Sequence, residues 1–303
     1  MPDISSLQTW RIEGAETDAN VPRVQAHPMF ARAARTIAVN TLASGERDKT
    51  LASIAKDAGR YVVAMWSMYL HVSGGLTLPR LKEICAASGF LSPGRARAML
   101  LFMRYLGYVT PQGRAHHGTP QHYVPTESFR VAWRGHLRSV LEAAATIEPA
   151  VQSVIDNLGD DRVMDCVSRR QGEGLLSLTK VRDRETSLIR IFMHRHAGNN
   201  MLFTLVAAGD DADFPPPGPI PFSISRFAER FDVSRIHVRR ILDAAVAEDF
   251  FVLSADGAVT FTVKARAELR ASYAMQLSQL LASAADAAAD LPPRTNELLV
   301  AAS

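Results

Sequence analysis

The stretch FSISRFAERFDVSRIHVRRILDAAVAEDFFVLSADGAVTF, Phe222 to Phe261, decides how the rest of the chain is read. Ser223, Ile224, Phe227, Ala228 and Phe231 recur at helical spacing. A short break at Asp232-Val233 follows, and Ser234 opens a second run from Arg235 to Leu242. Ser234 suits an N-cap, because its hydroxyl can accept one of the N–H groups that a first helical turn leaves unpaired. Val238, Ile241, Leu242 and Ala245 share one face of that run. Arg235, His237, Arg239 and Arg240 fall mostly elsewhere, with no acidic residue before Asp243. Farther on, Phe250 to Leu253 and Val259 to Val263 have strand composition and flank Asp256-Gly257, a pair that favours a tight hairpin turn. The pattern predicts a helix, a turn, a basic helix and a β-hairpin.

A second stretch repeats this pattern upstream. Thr77-Leu78-Pro79 opens a helix with Leu81, Ile84 and Cys85, and Gly89-Phe90-Leu91 turns the chain. Ser92-Pro93 then sets a capping residue before proline at the first helical position, a strong start signal. The helix that follows carries Arg95, Arg97, Met99, Leu100, Met103 and Leu106 and ends at Gly107. Tyr108-Val109-Thr110 and Tyr123-Val124 bracket a polar loop from Pro111 to His122. A shift of 142 positions lays Ser92 on Ser234, Arg95 on His237, Arg97 on Arg239, Leu100 on Leu242 and Tyr108-Val109 on Phe250-Phe251. Internal duplication accounts for this better than coincidence.

The run from Phe227 to Arg235, followed by Val238-Arg239-Arg240-Ile241-Leu242, resembles the helix-turn-helix of bacterial winged-helix transcription regulators, of the GntR and MarR types above all. With the repeat, the resemblance implies a mainly α chain with two winged helix-turn-helix modules, small β-hairpin wings and a helical linker region. It also implies a site. Each second helix would enter the major groove, with Arg95 and Arg97 in one module and Arg235, His237, Arg239 and Arg240 in the other. Ser92 and Ser234 would anchor phosphates, and Arg114, His116 and His117 of the longer first wing would reach a minor groove. Pro93 and Gly94 stand where family members usually place reading side chains, so the first module is expected to grip backbone more than bases. The acidic Asp256 turn suits phosphates poorly, so wing contacts are expected from the first module alone.

Composition bounds this reading. At 303 residues, 47% of them hydrophobic, the chain has room for about two domains and a sizeable core. Mean hydropathy is −0.01, as in water-soluble globular proteins. The net charge of +3 is modest, but Arg80 to Glu142 holds nine Arg and Lys against three Glu. A local excess of this kind is the footprint of a DNA-binding face; the plainer account is a solvated basic surface. Cys85 and Cys166, far apart, exclude a disulfide framework and a cysteine zinc cluster. No apolar run reaches bilayer length and Met1 to Ser5 lacks signal-peptide features, so a cytoplasmic protein is expected. Gly-rich phosphate loops, HExxH and Gly-x-Ser-x-Gly are absent, which argues against an enzyme. The Asp160-Asp161 and Asp210-Asp211 pairs read as solvated or capping acids. His116, His117 and His122 lack the Cys or acidic neighbours of a metal site, and no cofactor is implied.

Along the chain, residues 1–27 read as an N-terminal arm suited to lie across a partner, and 28–145 as the first module with preceding helices. Residues 146–199 read as a helical linker, 200–290 as the second module and 291–303 as a flexible tail. One helix is expected from Pro28 to a stop at Gly45, and a single helix from about Lys49 to His71. The expected partner is double-stranded DNA. One chain could imitate a symmetric dimer, or the helices at 127–156 and 264–289 could pair two chains; both remain open. An effector near Trp66 and Trp133 is open too, although nothing polar converges there and core packing is the simpler account. Two rival readings are a plasmid-type replication initiator, which also carries two such modules, and a winged-helix docking module that binds protein.

Overall fold

The computed structural model describes residues 5–11, 19–54, 56–113, 118–180 and 186–291. The architecture is mainly α with a few short strands. Helices α1 (Ser5–Gln8), α2 (Val21–Gln25), α3 (Phe30–Arg47), α4 (Lys49–Ile54) and α5 (Ala58–Val72) lead into strand β1 (Leu76–Thr77). There follow α6 (Leu78–Ser88), α7 (Pro93–Tyr105), β2 (Val109–Pro111), β3 (His122–Pro125) and α8 (Glu127–Ala145). After α9 (Val151–Asp156), α10 (Asp161–Lys180) and a π-helical turn at Ile189–Met193 come α11 (Gly198–Ala207), α12 (Ile224–Arg230) and α13 (Arg235–Ala247). Strands β4 (Phe251–Leu253) and β5 (Val259–Phe261) precede α14 (Val263–Ala289). No described helix is long and apolar enough to cross a membrane.

The order helix, extended segment, helix, helix, hairpin, helix runs from α5 to α8 and again from α11 to α14. In the first array the sheet order is β1-β3-β2, all antiparallel. In the second, Ile220 takes the place of β1 and exchanges both backbone hydrogen bonds with Val259, at 2.8 and 2.9 Å. The shift of 142 holds in detail. Ser92 Oγ accepts from Arg95 N–H, and Ser234 Oγ from His237 N–H. Gly107 (φ 72°) and Asp249 (φ 54°) both take the left-handed conformation that ends the helix and starts the strand. Tyr108 N–H donates to Met103 O and Phe250 N–H to Ala245 O, each at 2.8 Å. Beyond the hairpins, whose second loop is shorter so that the shift falls to 136, Thr126 and Thr262 cap α8 and α14, and each hydroxyl also donates to the carbonyl of the left-handed residue, at 2.6 Å. The chain is thereby returned from the hairpin to the core in the same way in both arrays.

One cluster of buried side chains runs through both arrays and the segment between them. The expected linker is part of that core: α10 packs against both α5 and α14, and α3 against both α8 and α11. The expected arm also differs. Leu7 and Val24 are fully buried and Trp10 nearly so; residues 5–11 and 19–27 lie on their own chain because these apolar side chains find cover there. Gly45 does not stop α3, which runs to Arg47, since a lone glycine costs a helix only about 1 kcal/mol. The helix expected over 49–71 is two, because Asp57 adopts an extended backbone and caps α5 by accepting from Arg60 N–H at 2.9 Å. Of the tail, only Leu291 is among the described residues. Trp66 and Trp133 are both fully buried, Trp133 donating to Ser168 Oγ at 3.1 Å.

Beside Trp133, the Tyr61 hydroxyl and His136 Nε2 share a 2.9 Å hydrogen bond. Burial pushes the His136 imidazole down to about 4 from 6.5. The unfolded chain therefore binds a proton that the folded chain refuses between these values. His136 contributes stability that is complete above pH 6.5 and lost as the pH falls to about 4. Urea midpoints measured from pH 7 to 4 should drop through this window, and His136→Gln should flatten that drop.

Candidate nucleic-acid interface

Helices α7 and α13 each bury one face and expose the other. Ala96, Met99, Leu100 and Met103 anchor α7; Val238, Ile241, Leu242 and Ala245 anchor α13. Each follows a left-handed turn, at Gly89 (φ 67°) and at Asp232 (φ 52°), that sets it across the preceding helix. With the apolar stripes fixed, most of the remaining positions point to solvent. Arg97 on α7 and Arg235, Arg239 and Arg240 on α13 are exposed. None of these four guanidinium groups has an acidic partner among the described residues. A guanidinium that is unpaired and outward keeps its full capacity to meet phosphate or the acceptor edge of guanine.

The other expected contacts divide. Arg95 is exposed but leans toward Asp57, at 3.9 Å. His237 is half-buried and turned inward, its Nε2 2.8 Å from the carbonyl of His196, so it ties α13 to the preceding segment instead of facing out. The hydroxyls of Ser92 and Ser234 accept from their own helices and keep one proton each to donate. Arg114, His116 and His117 lie outside the described residues. In the second hairpin, exposed Asp256 accepts from the Ser254 hydroxyl and from Ala258 N–H, which hold its carboxyl below the usual carboxylate range. The tip is therefore anionic, as its sequence suggests. Among the described residues no group of three or more His, Cys, Asp or Glu is placed to hold a metal ion.

Other members of this surface come from elements that carry no motif. Lys56 and Arg60 stand at the start of α5, and Arg195 donates to the carbonyl of Arg240 at 3.1 Å. Their part in the surface shows only once α5 and the 186–197 segment are folded against α7 and α13. Glu248 accepts from Arg190 and from the Ser187 hydroxyl, fixing that segment along α13. The outward faces are also partly apolar. Leu101 is 48% and Tyr105 85% exposed on α7, and Ile236 is 63% exposed on α13.

Compared with known proteins, the chain matches no family model, no curated protein and no solved structure. Its site is accordingly read from its own geometry. Removing a serine N-cap typically costs about 1 kcal/mol. Ser92→Ala and Ser234→Ala should each lower stability by about that amount in denaturant melts, the two losses adding in the double variant because the caps share no partner.

Proposed function

We propose that the two arrays are winged-helix modules related by duplication, and that the chain binds double-stranded DNA as a transcription regulator of the bacterial type. The observation that carries this reading is the outward row of Arg235, Arg239 and Arg240 on α13, with Arg97 on α7, all exposed and without an acidic partner among the described residues. A merely solvated helix face usually interleaves both signs of charge. Here the first two turns of α13 hold no carboxylate. Repetition of the capping, turning and hairpin geometry supports two modules of one kind. The apolar faces of α8 and α14 are covered within the chain, which favours a single chain carrying both modules over a pair of chains joined by those helices.

A docking role for the first module is the second reading, favoured by Leu101 and Tyr105 standing exposed where a DNA-reading helix would carry polar groups. Gel-shift or anisotropy titration against DNA duplexes separates the two. Each phosphate contact adds about 0.9 to the slope of log affinity against log salt. Wild type should bind with a steep slope. Arg239→Ala with Arg240→Ala should weaken binding about ten-fold or more and lower the slope by nearly 2, with an unchanged melting midpoint. Full binding by this variant would remove α13 from the interface.

A further inference from the structure

The two outward helices are not independent: equivalent positions of α7 and α13 meet across one junction. Arg95 and His237 correspond under the shift of 142. Arg95 reaches Asp57 at 3.9 Å, and Asp57 also holds Arg60 at 3.4 Å. The neighbouring Lys56 carbonyl accepts from Ala197 N–H at 3.1 Å. The next carbonyl back, that of His196, meets His237 Nε2 at 2.8 Å. Phe90, in the turn before α7, lies against His194 with ring centroids 6.3 Å apart. The start of α5 and the 194–197 segment thus form a saddle between the two helices.

The saddle is cationic. Lys56, Arg60 and Arg95 come from the first array's side, and Arg195 from the second's, with the imidazoles of His196 and His237 beside it. Asp57 is the one carboxylate that these contacts bring in, and it is already engaged by the α5 N-terminus and two guanidinium groups. His196 registers the resulting field: burial first, then the charges of Lys56, His237 and Arg60 hold its imidazole below the ordinary value, against Asp57. Exposed Arg97 follows Arg95 two positions along α7, and the Arg195 bond to the Arg240 carbonyl ties the 194–197 segment to α13, which also exposes Arg235 and Arg239.

We infer that this saddle, with Lys56 and Arg60 as its ligating cations, binds the DNA phosphates between the two helices, so that both engage one uninterrupted stretch of duplex. The inference rests on the DNA-binding reading above and adds a site that neither helix supplies. Lys56 has no acidic partner among the described residues, and Arg60 keeps a partly exposed guanidinium after pairing with Asp57. Both can therefore release a counterion from the duplex on binding.

The test uses the full chain and a fluorescently labelled mixed-sequence DNA duplex, titrated at several salt concentrations. Lys56→Gln with Arg60→Gln should weaken binding about ten-fold and lower the salt slope by nearly 2, while Lys56→Arg with Arg60→Lys restores both. Should the double variant melt early because Asp57 has lost a partner, Lys56→Glu alone should lower the slope by about 1 or more, since among the described residues the Lys56 side chain has no ion pair to lose. Unchanged affinity and slope in these variants, with Arg239→Ala/Arg240→Ala still weakened, would overturn the saddle and leave the DNA reading standing. Failure of the wild type to bind any duplex would overturn both.

Discussion

The burial of α14 is the constraint on which the arrangement of the molecule depends. From Leu280 to Ala288 every residue is buried, with α10, α2, α1, α9, α8 and α3 packed around the helix. Alanines 282, 284, 285, 287 and 288 make this feasible, since small side chains let several helices approach at once. Within this collar Asp286 accepts from Arg11 at 3.0 Å and faces Arg170 Nε at 2.7 Å. A buried carboxylate left without partners would cost several kcal/mol, so the pairing fixes both α10 and the N-terminal residues in register with α14. Because α14 also begins at the second hairpin, through the Thr262 cap, the core position of one end dictates where α13 and its arginines stand.

A second tie acts at the surface. Gly198 begins α11 so close to the π-helical turn that an added Cβ would lie 2.1 Å from the Phe192 carbonyl oxygen. The chain is thereby folded tightly back before α11, bringing His196 to His237 and Ala197 to Lys56. Core packing and this turn together hold two basic helix faces in one fixed relation. A net charge of +3 is then no obstacle to polyanion binding, because field strength at a surface depends on where the charges are gathered and not on their sum.

Local signals were legible in the sequence, and relations between distant segments were not. Ser92-Pro93, Ser234 and Asp256-Gly257 act through bonds to residues within a few positions, so caps, turns and hairpins follow from spacing alone. The 142-residue repeat was readable for the same reason. The inward turn of His237 was hidden, because it depends on a carbonyl 41 residues upstream. So was the membership of Lys56, just before α5, and of Arg60, in its first turn, since that helix has no motif of its own. The N-terminal arm misled by its polarity: Leu7, Trp10 and Val24 are too sparse to show a period, yet each is buried by tertiary contact. The split at Asp57 was missed because both flanking runs share an apolar pattern, and a single capping carboxylate breaks them.

Hydroxyl-radical footprinting of the full chain on a duplex selected for tight binding tests the central claim most directly. The account predicts one unbroken protected tract, with the backbone between the two major-groove contacts shielded along with them. Two protected patches separated by an open helical turn, or no protection at any protein concentration, would contradict it.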